Sequence, residues 1–465
     1  MDGQPLACLF SIGQGTGLPM LWEPAYDDKR SQGWRSAVVI RVSRGLEGRG
    51  ERPATEYRQP RAGLGEWTTT PPRIVTYDMH APPRHAYVHV PFCRHRCGYC
   101  DFALVAGRDD LIDRYFAALE RELERVPSAS TSAVEPACRE LATLYVGGGT
   151  PSHLGPDGLR RLFELLRGRL VTAAGAEVSV EANPLDVTDA FVAATRACGV
   201  TRVSLGGQSL DAATLRALDR DHGPDDVHVA VDRLLGAGLA VNLDLMTAAP
   251  GQSLAAVERD LDAAVSLGVQ HVSVYCLTWE KGTAFEAARR RGQLAPVADD
   301  LERAMFETAI DRLGAAGFEH YEVSNFARAG YRCRHNEAYW DCRPWEAFGP
   351  GAARFDGRTR ITNHRSPTTW MTGVLAGGEC VGDVDAMGDE EAARERIVVG
   401  LRRRDGVERE AFHAASGFDI DALAGAAVAC WVAAGLATDD GRQVRLTRDG
   451  LLVSDALWAD VLRLG

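Results

Sequence analysis

From Ala86 onward the chain alternates short apolar runs with longer amphipathic stretches. Tyr87–Val90, Leu141–Val146, Glu177–Glu181, Arg202–Leu205, Ala240–Leu245 and His271–Leu277 have the length and β-branched content of buried strands. Between them, Leu111–Glu124, Leu159–Leu170, Asp189–Ala197, Asp226–Ala237 and Ala255–Leu267 repeat apolar residues at helical spacing. Strands that return parallel to their predecessors need crossover helices, and those crossovers are right-handed. Six successive units predict an α/β fold, a partial (β/α)6 barrel whose site is built at the carboxyl ends of the strands. A further strand-like stretch, Tyr321–Phe326, follows a helical pattern at Leu301–Leu313.

The two ends of the chain break this rhythm. Residues 1–82 are rich in Gly, Pro, Arg, Gln and Thr and carry no sustained period. We expect a disordered or non-native extension there, with Met79 as the natural start. Residues 83–367 form the barrel with its extension. Residues 368–465 hold helical patterns at Asp389–Leu401, Arg409–Ala414 and Ile420–Ala434, then a hairpin-like Leu436–Leu446 with Asp440-Gly441 at the turn. Helices followed by a small hairpin predict a C-terminal helical, winged-helix-like lid. The basic run Arg402-Arg403-Arg404 reads as a solvated face.

Composition narrows the function. The 465 residues carry a net charge of 52 − 64 = −12, which speaks against nucleic acid as the main partner. No run approaches the length of a membrane span, and no basic-then-apolar leader opens the chain. Three of the 11 cysteines fall within eight residues and the others are scattered. That distribution fits free thiolates in a reducing, cytoplasmic compartment rather than a disulfide framework.

Cys93, Cys97 and Cys100 stand as C-x3-C-x2-C in a loop after the first strand. Soft thiolates in such a loop point to an iron–sulfur cluster or to zinc. A [4Fe–4S] cube held by three cysteines keeps one iron open to another ligand. Structural zinc would draw on His95 or a distant fourth ligand, but zinc cysteines usually come as two C-x2-C pairs, and the chain has no second pair. The second strand ends in Gly147-Gly148-Gly149-Thr150-Pro151, where glycines let a backbone approach a ligand closely.

The cysteine spacing, with aromatic Tyr99 just before the third cysteine, resembles the radical S-adenosylmethionine superfamily. The run His85–Cys93, the stretch Gly317–Ala327 and Cys333-Arg334-His335-Asn336-Glu337-Ala338-Tyr339-Trp340 narrow the resemblance to the oxygen-independent coproporphyrinogen III oxidase-like family, and within it to the heme-chaperone branch, HemW. It covers the chain from about Ala86 to the C-terminus. It implies a radical-SAM barrel with a [4Fe–4S] cluster on Cys93, Cys97 and Cys100. S-adenosylmethionine (SAM) would then lie among Tyr87, Tyr99, Phe102, Gly148, Gly149, Thr150, Glu181, Gln208, Arg220 and Asp244. Heme would lie at His335, Tyr339 and Trp340, with His335 as axial ligand and Cys333 as a second candidate.

The true oxidases carry a fourth cysteine where this chain has Phe102. The resemblance therefore implies a chaperone that delivers heme to apo-hemoproteins such as respiratory cytochromes. The alternative is a coproporphyrinogen dehydrogenase in porphyrin biosynthesis. It further implies an electron donor such as flavodoxin or ferredoxin, and leaves room for peripheral membrane association and a homodimer. Relatives usually read G-V-Q-S where this chain has Gly206-Gly207-Gln208-Ser209, and G-L-P-G-Q where it has Ala248-Ala249-Pro250-Gly251-Gln252. Loss of a glycine at Ala248 is expected to alter the turn beside the cofactor.

Overall fold

The computed structural model describes residues 83–126 and 140–462; the expectations for residues 1–82, Met79 included, lie outside them. Six strands form the parallel heart of the fold: β1 His85–Val90, β2 Leu141–Gly148, β3 Thr172–Ala182, β4 Arg202–Gln208, β5 Ala240–Thr247 and β6 His271–Cys276. Each pairs with its sequence neighbour in parallel, with Tyr87 opposite Tyr145 and Val203 opposite Val241. The partial (β/α)6 barrel follows the expected order.

The stretch expected as one strand at Tyr321–Phe326 is instead two: β7 Glu319–Glu322 and β8 Asn325–Ala327, antiparallel to each other. The Glu322 carboxylate makes the turn between them by accepting from the Ser324 amide and the Asn325 side chain. β8 runs antiparallel to β6, and a short β9, Glu346–Phe348, adds in parallel outside β1. The sheet order is β9-β1-β2-β3-β4-β5-β6-β8-β7.

Alternation along the strands divides the barrel into two environments. Val88, Val90, Leu144, Val146, Val178, Val180, Val203, Leu205, Val241, Leu243, Val272 and Val274 pack outward into one large apolar core beneath the crossover helices. The intervening positions turn inward and are largely polar: Tyr87, Tyr145, Glu177, Ser179, Glu181, Ser204, Asn242, Asp244, His271, Ser273 and Tyr275. Five crossover helices cover the outer face: α1 Ile112–Leu123, α2 Gly155–Arg167, α3 Asp189–Ala197, α4 Pro224–Gly236 and α5 Leu254–Ser266. The side chains of Thr188 and Ser253 cap α3 and α5 by accepting from Phe191 N and Ala256 N. A longer α6, Asp299–Ala315, packs against α5.

Beyond the barrel, α7 Arg334–Trp340 and α8 Pro367–Leu375 follow; Trp370, Met371 and Val374 of α8 belong to the large core. A second core starts at Ala393. It gathers α9 Asp389–Leu401, α10 Arg409–Ser416, α11 Ile420–Ala433 and α12 Ser454–Leu462 around Trp431 and Trp458. A small antiparallel sheet, Val407–Glu408, Gln443–Leu446 and Ala437–Asp439, completes it and contains the expected hairpin.

The run Arg402–Arg404 is not the solvated face expected from the sequence. Arg402 lies between the rings of Trp340 and Trp458, and Arg403 pairs with Asp341. Backbone bonds from Val323 N to Arg402 O at 3.1 Å and from Arg404 N to Tyr321 O at 3.0 Å tie the run to β7. The three arginines join the C-terminal core to the barrel.

Candidate functional site

The cysteine loop crosses the carboxyl end of the barrel. Its start is fixed by a two-residue parallel pairing of Phe92–Cys93 with Val105–Ala106. Its far side is fixed by Arg96, whose guanidinium donates to the carbonyls of Cys100, Phe102 and Leu104, each at 3.1 Å. All three cysteines are free thiols. With Tyr99, Phe102, Gly149, Thr150, Asn183 and Arg220 they line a partly open pocket.

The sulfurs are hydrogen-bonded unequally. Thr150 Oγ1 lies 3.1 Å from Cys93 Sγ, while Arg220 Nη1 donates to Cys97 Sγ at 3.4 Å and His95 Nε2 lies 3.7 Å from it. Burial pushes the Cys93 thiol up to about 12 and the Cys100 thiol up to about 11. A cationic centre that displaces their protons is therefore needed to hold them as thiolates at neutral pH. Among the described residues no three His, Cys, Asp or Glu side chains converge on a single metal ion. A cubane asks for something different, because each thiolate takes its own iron.

The glycine run is a close-packed cradle. A Cβ on Gly149 would sit 2.8 Å from Phe92 O and 3.1 Å from Cys93 Sγ, and one on Gly147 would sit 2.8 Å from Glu181 Oε1. Gly148 holds φ +116° above the His89 ring. That ring engages the Tyr87 hydroxyl at 3.1 Å and the Ala103 carbonyl at 2.8 Å, so it ties β1 to the exit of the cysteine loop. Burial brings His89 down to about 4, which keeps it neutral.

Of the polar residues expected around a cofactor, Arg220 lines the pocket, whereas Glu181, Gln208 and Asp244 lie on the adjoining strands β3, β4 and β5. Glu181 accepts from Gly148 N at 2.9 Å and from the Tyr145 hydroxyl at 3.0 Å. Burial, and then the neighbouring Asp244 carboxylate, raise Glu181 to about 8, and burial raises Asp244 to about 7. Such a pair favours a cationic ligand, which would restore the ionised forms. Asp244 accepts from Ser204 at 3.0 Å and Asn242 at 3.0 Å. Gln208 Nε2 and Arg220 Nη2 bracket Gly206, and Arg220 Nη2 donates to the Gly206 carbonyl at 3.0 Å. The buried Arg220 Nε has no hydrogen-bond partner among the described residues. Tyr99 packs edge-on against Phe285, ring centroids 6.0 Å apart, and Tyr87 stacks on Tyr145 at 6.2 Å.

Backbone strain concentrates at the same end. Gln208, Asp219 and Ala248 are three of the four described non-glycine residues with positive φ, at 62°, 56° and 61°. Ala248 thus keeps the left-handed turn that a glycine would make, so the turn is preserved rather than altered. The Gln252 side chain braces it, accepting from Ala249 N at 3.1 Å and donating to Met246 O at 3.2 Å. A Cβ on Gly207 would lie 2.7 Å from Leu243 Cδ1, the end of a side chain that fills the space beside this glycine.

His335, Tyr339 and Trp340 do not join this pocket. His335 is 1% exposed. Its Nδ1 meets Thr143 Oγ1 at 2.7 Å and its Nε2 meets the Tyr339 hydroxyl at 2.7 Å. The ring stacks on Tyr145, and burial drives its pKa well below the usual value. An axial iron ligand needs a free ring nitrogen on an accessible face, and this imidazole has neither; the expectation of His335 as ligand does not fit the packing. Cys333 is buried too, with Sγ 3.5 Å from Glu177 Oε1. Trp340 lies under Arg402 at the C-terminal junction.

Sequence reasoning passed over Tyr145, Tyr275, Arg96 and His89. The polar–apolar alternation of β1, β2 and β6 was a signal for three of them, since it marks the inward face.

Residues 87–264 match the Radical SAM superfamily model, and residues 388–453 match the HemN C-terminal domain. A Mycobacterium tuberculosis protein named "Heme chaperone HemW" is 40% identical, covering 82% of this chain and 95% of its own length. Its Bacillus subtilis namesake is 31% identical over 82% and 99%, and the Escherichia coli one 39% over 63% and 76%. Among solved structures, the Escherichia coli coproporphyrinogen III oxidase HemN, described as a radical SAM enzyme, aligns with a TM-score of 0.71. It covers 83% of this chain and 91% of that one at 21% identity, a likeness of fold.

Proposed function

The chain belongs to the HemW family of heme chaperones within the radical SAM superfamily, and on that premise we propose that it binds heme and passes it to apo-hemoproteins, respiratory cytochromes among them. A [4Fe–4S] cluster on Cys93, Cys97 and Cys100 accompanies this role, with SAM at the open iron. The cluster would supply one-electron chemistry and a chelating iron.

The chain's own residues would do the rest. The Gly147–Gly149 backbone and Glu181 would receive the amino group, Asp244 and Gln208 would orient the nucleoside side, Arg220 would offset negative charge, and Tyr99 with Phe285 would wall off water. The observation that carries this reading is the pairing of three free thiols with a glycine loop packed so closely on them that a Cβ on Gly149 would lie 3.1 Å from Cys93 Sγ. Phe102, half-buried at the pocket where oxidases place a further cysteine, supports a chaperone over an oxidase.

An electron donor of the flavodoxin or ferredoxin type, a peripheral seat at the membrane and a homodimer belong to the same proposal. No helix among the described residues is long and apolar enough to cross a membrane. The test incubates reduced, cluster-loaded protein anaerobically with SAM and either heme plus an apo-cytochrome or coproporphyrinogen III. Stable heme binding and transfer without turnover is expected; protoporphyrinogen formation would overturn the reading in favour of an oxidase.

A further inference from the structure

The three cysteine sulfurs differ in what faces them. Cys93 meets a neutral hydroxyl, Thr150, whereas Cys97 meets a guanidinium, Arg220, at 3.4 Å. Cys100 is faced by the Phe102 backbone amide. Arg220 is held for this contact from both ends. Asp219, at φ 56°, turns the chain back toward the loop, and the Arg220 amide bonds Leu215 O at 3.0 Å. Its Nη2 is anchored on Gly206 O at 3.0 Å, and its buried Nε has no hydrogen-bond partner among the described residues.

We propose that Arg220 sets the reduction potential of the cluster by donating a charged hydrogen bond to the Cys97 ligand sulfur. This rests on the cluster reading above. A [4Fe–4S] cube with three thiolates takes up one electron from an external reductant, goes from a net charge of about −1 to −2, and moves no proton. A fixed cation against one ligand sulfur stabilises the more negative state more than the less negative one. The potential therefore rises.

Arg96 provides the contrast. It is the nearer cation in sequence, but it is exposed and its donors are spent on three backbone carbonyls. Water screens it, and it touches no sulfur.

The experiment is an anaerobic redox titration of the reconstituted full-length protein without SAM, followed by the EPR signal of the reduced cluster. Arg220→Met is expected to lower the one-electron reduction constant by about tenfold, a shift of about 59 mV to more negative potential. Arg220→Lys is expected to lower it by less, and Arg96→Gln by under about twofold. If Arg220→Met does not assemble a cluster, the lysine variant decides by the same criterion. A loaded variant with wild-type iron and sulfide but an unchanged or raised potential overturns the proposal. Wild-type protein that assembles no cluster at all would instead defeat the reading on which it rests.

Discussion

Adding one methyl group at Gly149 tests whether the glycine loop and the cysteine loop are built as a single contact. In Gly149→Ala the new Cβ would lie 2.8 Å from Phe92 O, 3.0 Å from Phe92 N and 3.1 Å from Cys93 Sγ. Ordinary contact begins at 3.4 Å, so the overlap is 3.4 − 2.8 = 0.6 Å. Neither side yields easily. Phe92 is pinned by its pairing with Val105, and Gly149 N is itself bonded to Val90 O at 2.8 Å. Overpacking of this kind costs about 1–3 kcal/mol, and at roughly 2–4 °C per kcal/mol for a chain of this class the apo-protein Tm should fall by about 2–12 °C. A cradle displaced by half an ångström should also weaken SAM binding by about tenfold. Thermal melts of apo-protein and anaerobic titration calorimetry of reconstituted protein read the two effects. Gly314→Ala is the control: it lies in α6, a Cβ there meets nothing within 4 Å, and it should leave SAM affinity unchanged while raising Tm slightly. Gly149→Ala with wild-type Tm and SAM affinity within twofold would refute the idea that the loops are one packed unit.

Three further outcomes follow from the polar interior. Because burial and the neighbouring Asp244 hold Glu181 at about 8, and burial holds Asp244 at about 7, the native state keeps protons that the unfolded chain sheds from about pH 4 upward. Apo stability should fall as pH rises through that window, and melts of Glu181→Gln between pH 5 and 8 should show a flatter slope than wild type. His335→Ala leaves the Tyr339 hydroxyl without its buried partner, while Thr143 keeps His85 at 2.9 Å, and with the cavity it opens should cost about 1–3 kcal/mol. Heme affinity of the folded protein, read from the Soret band at low temperature, should stay within twofold; loss of the band at unchanged Tm would restore His335 as a ligand. Asp260→Ala removes a buried carboxylate that accepts from Ser209 Oγ at 2.6 Å and Leu210 N at 2.8 Å and so secures the strained turn at Gln208. SAM affinity should drop roughly fivefold with iron content unaltered; equal affinity would release Asp260 from a positioning role.

The periodic part of the sequence transferred well to the structure. Strand–helix alternation foretold six parallel strands because each apolar face must find a partner of matching period. The thiol spacing and the glycine run were legible because both are local and consecutive. What escaped was decided at long range. His335 looked like a ligand, yet Thr143 and Tyr339 reach it from a strand and from one helical turn away and consume both nitrogens. Arg402–Arg404 looked solvated, yet two tryptophans 118 residues apart in sequence enclose Arg402. Tyr321–Phe326 looked like one strand because its apolar content is continuous; the bend comes from Glu322 bonding its own downstream backbone. The inward tyrosines Tyr145 and Tyr275 could have been found by applying period two to strands already identified.

The central claim is tested most directly by metal and sulfide analysis of anaerobically purified, full-length protein, joined to EPR of its reduced form with and without SAM. The account predicts about four iron and four acid-labile sulfide per chain, little zinc, and an EPR signal whose shape changes when SAM is added. Stoichiometric zinc without labile sulfide, or a cluster signal that SAM leaves untouched, would contradict it.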